Sequence, residues 1–302
     1  MHTQLAPAAQ AAPTATDASP APAAVVHLFQ IAYSPESLAA IPEGWKILDN
    51  RDNARPDWFE YWPIRRHLLE QTLDEQAFYG FFSPKFCSKT SLDHGQVQQF
   101  VQQHAAQADV LLFSPQPDMG AFFLNVFEQG EAFDAGLIDA YGEFLHRIGR
   151  PVPLRQLVMD ARQVVFSNYF VARPAFWREW LTLNEALFAL CEGPVDGPDA
   201  ALRALLVHAT SYPGPGAAAQ RKVFLQERAA SLLLATQPQW RSQAHNPYGF
   251  GWSMSRFRQH PTEAVISDAL KMAWREHRFP QYLQAYLTVR ERFRQGATTG
   301  AA

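Results

Sequence analysis

The residues in this chain that could do chemistry gather in short polar clusters, each placed just after an apolar run or at the start of a helix. Asp49-Asn50-Arg51-Asp52-Asn53 sets carboxylates and amides behind a short strand, where ligands approach an α/β sheet; the same residues also suit a plain Asx-rich turn. Lys85 and Lys89 are two of only five lysines beside 21 arginines, and they follow a segment, 56–86, with nine aromatics. An aromatic wall beside point cations suits a base or sugar ring bearing phosphate. A packed core edge with two solvated lysines is the alternative.

Asp118 follows Phe113-Ser114-Pro115-Gln116-Pro117 and delivers one carboxylate, which together with diphosphate oxygens could ligate Mg²⁺ or Mn²⁺. Asn125, Glu128 and Gln129 share one helical face by their three- and four-residue spacings, with Glu131 close by. Such a face could hold sugar hydroxyls, supply a general base, or simply be solvated. Asn168 stands at a polar strand-to-helix junction, Ser167-Asn168-Tyr169-Phe170, and Tyr33 closes the first apolar run. Glu227 and Arg228 lie on a helix whose apolar face is Val223, Leu232, Leu233 and Leu234. Charge on such a helix is costly to bury, so the pair is either a structural ion pair or site chemistry.

The elements that must position these groups alternate. Apolar runs predict strands at 25–33, 45–48, 78–82 and 110–113, with a further strand around Gln163 to Phe166. Helices are predicted at 58–73 and, capped by Asp93, to about Ala106. The second half is mostly helical, at 137–148, 174–190, 200–209, 218–235, 263–277 and 280–293, with Pro/Gly-rich loops at 193–199 and 211–216. This pattern predicts an α/β fold with a mostly parallel sheet flanked by helices, followed by a helical C-terminal part. The expected organisation is an Ala/Pro-rich disordered tail over 1–24, an α/β nucleotide-sugar-binding part over 25–192, a helical part over 193–294 and a flexible tail over 295–302.

Composition narrows the function classes. With 47% hydrophobic and 18% charged residues, and a formal net charge of −3, the chain has material for a large core and lacks the basic excess of a nucleic-acid binder. Cys87 and Cys191 are too few for a disulfide framework, which fits a reducing cytoplasm. No uncharged apolar stretch of about 18 residues occurs. Gly-rich dinucleotide loops, a phosphate-loop lysine motif, G-x-S-x-G, H-E-x-x-H and paired C-x-x-C are absent, which disfavours nicotinamide hydride transfer and P-loop hydrolysis.

One succession of segments has a familiar order. Tyr79-Gly80-Phe81-Phe82-Ser83, then 108–113, then Asn168-Tyr169-Phe170-Val171 feeding Phe176-Trp177-Arg178-Glu179-Trp180-Leu181, then Phe224-Leu225-Gln226-Glu227-Arg228, resembles bacterial GT-A-type glycosyltransferases of capsular polysaccharide and lipopolysaccharide biosynthesis. The resemblance spans roughly Val25 to Leu234. It departs from the family where a His-Tyr-Arg-Arg element would stand at Phe82-Ser83-Pro84-Lys85, which moves the basic role to Lys85 or Lys89, and the usual acid pair for a metal is not evident.

The resemblance implies sugar transfer from a nucleotide-sugar donor to a polysaccharide or lipid-linked glycan acceptor. In that reading Glu128 and Glu227 are the candidate catalytic carboxylates, with Glu131 as an alternative base. Tyr33, Asp49, Asn50, Lys85, Lys89, Asn125, Asn168 and Arg228 bind substrate, and Asp118 holds Mg²⁺ or Mn²⁺. The expected location is the cytoplasm; Arg275, Arg278, Arg290, Arg292 and Arg294 beside Trp274, Tyr282 and Tyr286 could rest peripherally on the inner membrane, and ordinary core helices with solvated basic faces are the favoured alternative. A non-catalytic scaffold on the same fold and a carboxylate-pair hydrolase are the competing readings.

Overall fold

The computed structural model of the protein describes residues 23–210 and 219–295. The tail expected over 1–24 therefore lies outside the described residues up to position 22, as do the 211–216 loop, the helix start at Ala218 and the C-terminal tail from 296.

The first half alternates as its apolar runs predict. It runs β1 (Val26–Ala32), α1 (Pro35–Ala39), β2 (Lys46–Asp49), α2 (Tyr61–Glu70), β3 (Phe78–Phe82), α3 (Phe86–Thr90), α4 (His94–His104) and β4 (Val110–Leu112). Asp93 caps α4 as expected, accepting from the Gln96 amide while the Gln96 side chain returns a bond to the Asp93 amide. Three helices follow, α5 (Pro117–Ala121), α6 (Val126–Glu131) and α7 (Leu137–Arg147), before β5 (Phe170–Ala172). The remainder comprises α8 (Pro174–Cys191), α9 (Ala200–Leu206), α10 (Arg221–Glu227), α11 (Ala229–Thr236), β6 (Ser242–Ala244), α12 (Pro261–His277) and α13 (Pro280–Gln295).

The six strands form one sheet in the order β2-β1-β3-β5-β4-β6. It is a mixed sheet: β1 pairs in parallel with β2 and β3, β4 with β6, while β5 runs antiparallel to both β3 and β4. The strand expected around Gln163 to Phe166 is irregular instead, with a turn at Gln163 and a bend at Phe166, and β5 begins four residues later. Consecutive left-handed residues Ser167 and Asn168 (φ 58° and 54°) separate the two, a reversal that an extended run cannot contain. The 218–235 helix is broken at Arg228 into α10 and α11.

β3 is buried along its whole length, which a continuous apolar run on an inner strand requires. Gly80 lies at its centre because a Cβ there would come within 2.7 Å of Val171 Cγ2 across the pair with β5. The aromatic segment 56–86 is chiefly core. Trp58, Tyr61, Phe78, Phe81, Phe82 and Phe86 are each at most 1% exposed, and Phe81 and Phe170 pack edge-on and face-on against Trp177 of α8. The packed-core alternative thus holds for these rings.

The two expected parts share this core. One apolar cluster runs from Ile31 to Leu234, and β6 returns from the second half to extend the sheet beside β4.

Candidate functional site

After β1 the chain moves outward to β2, then crosses to β3 on the other side of β1. Connections that leave a central strand in opposite directions open a crevice beyond the carboxyl ends of the strands. Because β5 is reversed, its amino end reaches the same edge. Five segments therefore converge: Tyr33 after β1, 50–60 after β2, 83–89 after β3, 167–169 before β5, and the end of α10.

Their polar atoms are organised by few bonds. Lys89 Nζ donates to Ser167 Oγ at 2.9 Å and lies 5.6 Å from the centre of the Tyr169 ring. Ser83 Oγ and the Tyr169 hydroxyl are 2.7 Å apart, and Asn168 Nδ2 donates to Gln226 Oε1 at 3.3 Å. Several partners are missing at the same place: Tyr33 OH, Asn50 Oδ1, Asn168 Oδ1 and Gln226 Nε2 are buried with no hydrogen-bond partner. Leaving such an atom unpaired costs about 1–3 kcal/mol, so a ligand supplying complementary groups would recover that energy.

The backbone here is also unusual. Besides Ser167 and Asn168, Phe59 adopts φ 46°, ψ −131°, immediately before Glu60 at the start of α2. Bulky residues rarely occupy that region, and such strain tends to collect at functional sites.

The electrostatics centre on two carboxylates. Glu227 is raised to about 7 by burial first and then by the charge of Glu60, against the opposing pull of Arg228 and Lys89. Burial also raises Glu60, with Lys89 and Lys85 pulling it down. Both residues are partly exposed although protein surrounds their carboxyl groups. The Tyr33 hydroxyl is pushed well above its usual range by burial, and then by Glu60 and Tyr169. A carboxylate titrating near neutrality beside cations can act as a general base.

Of the residues expected from sequence, Tyr33, Asn50, Lys85, Lys89, Asn168 and Glu227 come together at this edge. Asp49 does not join them. Strand alternation turns it to the opposite face from Asn50, and Arg51 Nε and Nη2 hold its exposed carboxylate at 2.9 and 2.7 Å, keeping it down at about 2.

Arg228 is a structural tie rather than a ligand group. It donates to the Val126 and Phe224 carbonyls at 2.9 and 2.7 Å and to Gln129 Oε1 at 2.7 Å, and so anchors the break between α10 and α11 against α6. Asn125 caps α6, accepting from the Phe127 and Glu128 amides at 2.9 Å each. Glu128 forms an ion pair with Arg290 of α13 at 2.8 Å and accepts from the Leu124 amide. Glu131 caps the approach to α7 through the Gly136 and Ile138 amides. Asn125 and Glu131 are thus taken up by helix-end amides, and Glu128 by Arg290 and the Leu124 amide.

Asp118 does not fit a metal ligand. It is fully buried, and its carboxylate is consumed by the Ser253 amide at 3.0 Å, the Ser253 hydroxyl, and Ser255 Oγ at 3.1 Å. Among the described residues no group of three or more His, Cys, Asp or Glu could hold a metal ion.

Sequence reading missed Glu60, Ser83, Tyr169 and Gln226. Gln226 adjoins Glu227 and Ser83 directly follows β3, so their positions were open to inference. Glu60 reads as an ordinary helix-start acid until the fold sets it against α10.

Of the arginines expected at a membrane, Arg275 is paired with Asp160 at 2.6 Å and Arg290 with Glu128, while Tyr286 is fully buried. No described helix is long and apolar enough to cross a membrane. No protein-family model, curated protein or solved structure matches this chain.

Proposed function

We propose that this protein is a GT-A-like glycosyltransferase that moves a sugar from a nucleotide-sugar donor to a polysaccharide or lipid-linked glycan acceptor. The observation that carries the reading is the convergence of Glu227, held near neutrality, with Lys89, Lys85 and unpartnered buried amides at the switch point of an α/β sheet. A single reversed strand within an otherwise co-directional sheet also suits a GT-A-like arrangement.

In this reading the acceptor hydroxyl attacks the anomeric carbon of the donor sugar, and Glu227 takes the hydroxyl proton as the new glycosidic bond forms. The bond to the diphosphate breaks, and Lys89 with Lys85 meets the charge left on the departing nucleoside diphosphate. Asn50, Asn168, Gln226 and Tyr33 orient the donor. No step runs through Mg²⁺ or Mn²⁺, since Asp118 has no free oxygen to give one.

Thermal-shift titration with UDP-, GDP-, CMP- and TDP-linked sugars tests the proposal. Stabilisation by at least one is expected, and a flat response to all of them rejects it.

The pairing of Glu60 with Glu227 supports a second reading, a carboxylate-pair hydrolase. Turnover of an aryl glycoside without any nucleotide would favour it over transfer.

A further inference from the structure

A second concavity lies beside the cleft, on the loop that follows β6. It is an open depression of about 540 Å³ lined by Tyr248, Trp252, Arg258, Gln259, Pro261 and Val265. Its wall is tied to the cleft through the backbone. The Gly251 amide donates to the Lys89 carbonyl at 2.8 Å, and the Gln116 amide donates to the Gly251 carbonyl at 2.8 Å. Gly251 is required there, because a Cβ would meet the Lys89 carbonyl oxygen at 2.9 Å. Trp252 is the next residue, so the groove and the Lys89 side of the cleft are neighbours on one edge of the sheet.

The groove is held in shape by a buried carboxyl group. Asp118, wholly inaccessible, gathers the Ser253 amide and the hydroxyls of Ser253 and Ser255, and thereby fixes the loop on either side of Met254 directly after Trp252. Tyr248 is fixed in turn, its ring 6.3 Å from that of Trp252 and its hydroxyl 3.4 Å from the Ala264 carbonyl. Arg258 and Gln259, both exposed, line the same groove; Arg258 Nη1 donates to Met254 Sδ at 3.5 Å, and among the described residues Arg258 forms no ion pair.

We propose that this groove binds an acidic sugar unit of a saccharide chain, stacked on Trp252 and Tyr248 with its carboxylate on Arg258. Apolar sugar-ring faces pack on aromatic rings, whereas hydroxyls and a carboxylate need donors such as Gln259 and a forked guanidinium. An uncompensated arginine favours an anionic ring over a neutral one. That the saccharide is the acceptor rests on the transferase reading; that the groove binds it does not.

Isothermal titration of the full-length protein with tetragalacturonate and with maltotetraose, equal in length and differing in charge, tests the groove. Tetragalacturonate should bind about tenfold or more tightly than maltotetraose, and Trp252→Ala and Arg258→Gln should each weaken it by about tenfold. Asp118→Asn should weaken it too, through loosening of the loop. All three variants should keep any thermal shift given by nucleotide sugars.

Absent binding, equal binding of the two saccharides, or binding indifferent to Trp252 and Arg258 overturns the proposal. So does a wild-type protein that ignores tetragalacturonate but sediments with phosphatidylglycerol vesicles through these residues. Saccharide binding that persists where no nucleotide sugar binds would retain the groove while rejecting the transferase.

Discussion

Glu60, at the start of α2, raises the carboxyl of Glu227, at the end of α10, although the two belong to segments far apart in the chain. The interaction exists because the β2–α2 loop and α10 meet over the same strand ends. A base near pH 7 thus arises from burial and a like charge rather than from any local motif.

If Glu227 is the base, Glu227→Gln lowers kcat by about 10²–10⁴-fold while donor affinity stays within a few-fold. Steady-state kinetics with a donor identified by thermal shift measures both. In the wild type, activity should rise with pH through about 7 as Glu227 ionises. A kcat in the variant within a few-fold of wild type would remove Glu227 from the chemistry.

The same carboxyl affects stability. Its folded-state value, about 7, lies above its usual 4.5, so the neutral form is favoured by folding. That contribution is fully present below about pH 4.5 and is lost as pH rises through 7. Glu227→Gln should therefore stabilise the protein more at pH 8 than at pH 5, by about 1–3 kcal/mol. Denaturant melts at the two pH values give the comparison, and an equal effect at both would contradict the burial argument.

Lys89 is the cation braced by Ser167 and the Tyr169 ring, whereas Lys85 is exposed. Lys89→Ala should weaken nucleoside-diphosphate binding by about tenfold or more, and Lys85→Ala by less, because a fixed charge in a cleft is screened less than a solvated one. Calorimetric titration with the nucleoside diphosphate should also show a shallower salt dependence for Lys89→Ala.

Arg228 illustrates the opposite case. Its guanidinium fills the space over Gly130, where a Cβ would come within 2.7 Å of it, and bonds three acceptors. Arg228→Ala should cost about 2–5 kcal/mol of stability and Gly130→Ala less, since the end of the Arg228 side chain can shift, with nucleotide affinity little changed in whatever remains folded. Thermal melts with and without ligand separate the two effects.

Much of the framework is local and was therefore readable in the chain itself. The runs at 26–32 and 78–82, the Asp93 cap and Pro174 at a helix start rest on apolar periodicity and neighbouring backbone groups, which act over a few residues. The placement of Asn50, Lys85, Lys89 and Asn168 just beyond strand ends follows from the same logic, since an α/β sheet presents those ends to ligands. The use made of each polar group lies outside local pattern. Asn125, Glu128 and Glu131 look like site residues in order of type, yet helix-end amides and Arg290 claim them. Asp118 reads as a metal ligand until Ser253 and Ser255, contributed by a loop after β6, enclose it. Glu60 becomes a partner of Glu227 only because β5 reverses and α10 folds back over the sheet edge. Hydrogen bonds and charge pairs act over a few ångströms of space, not of sequence, so tertiary contact alone decided which acids are structural and which face the cleft.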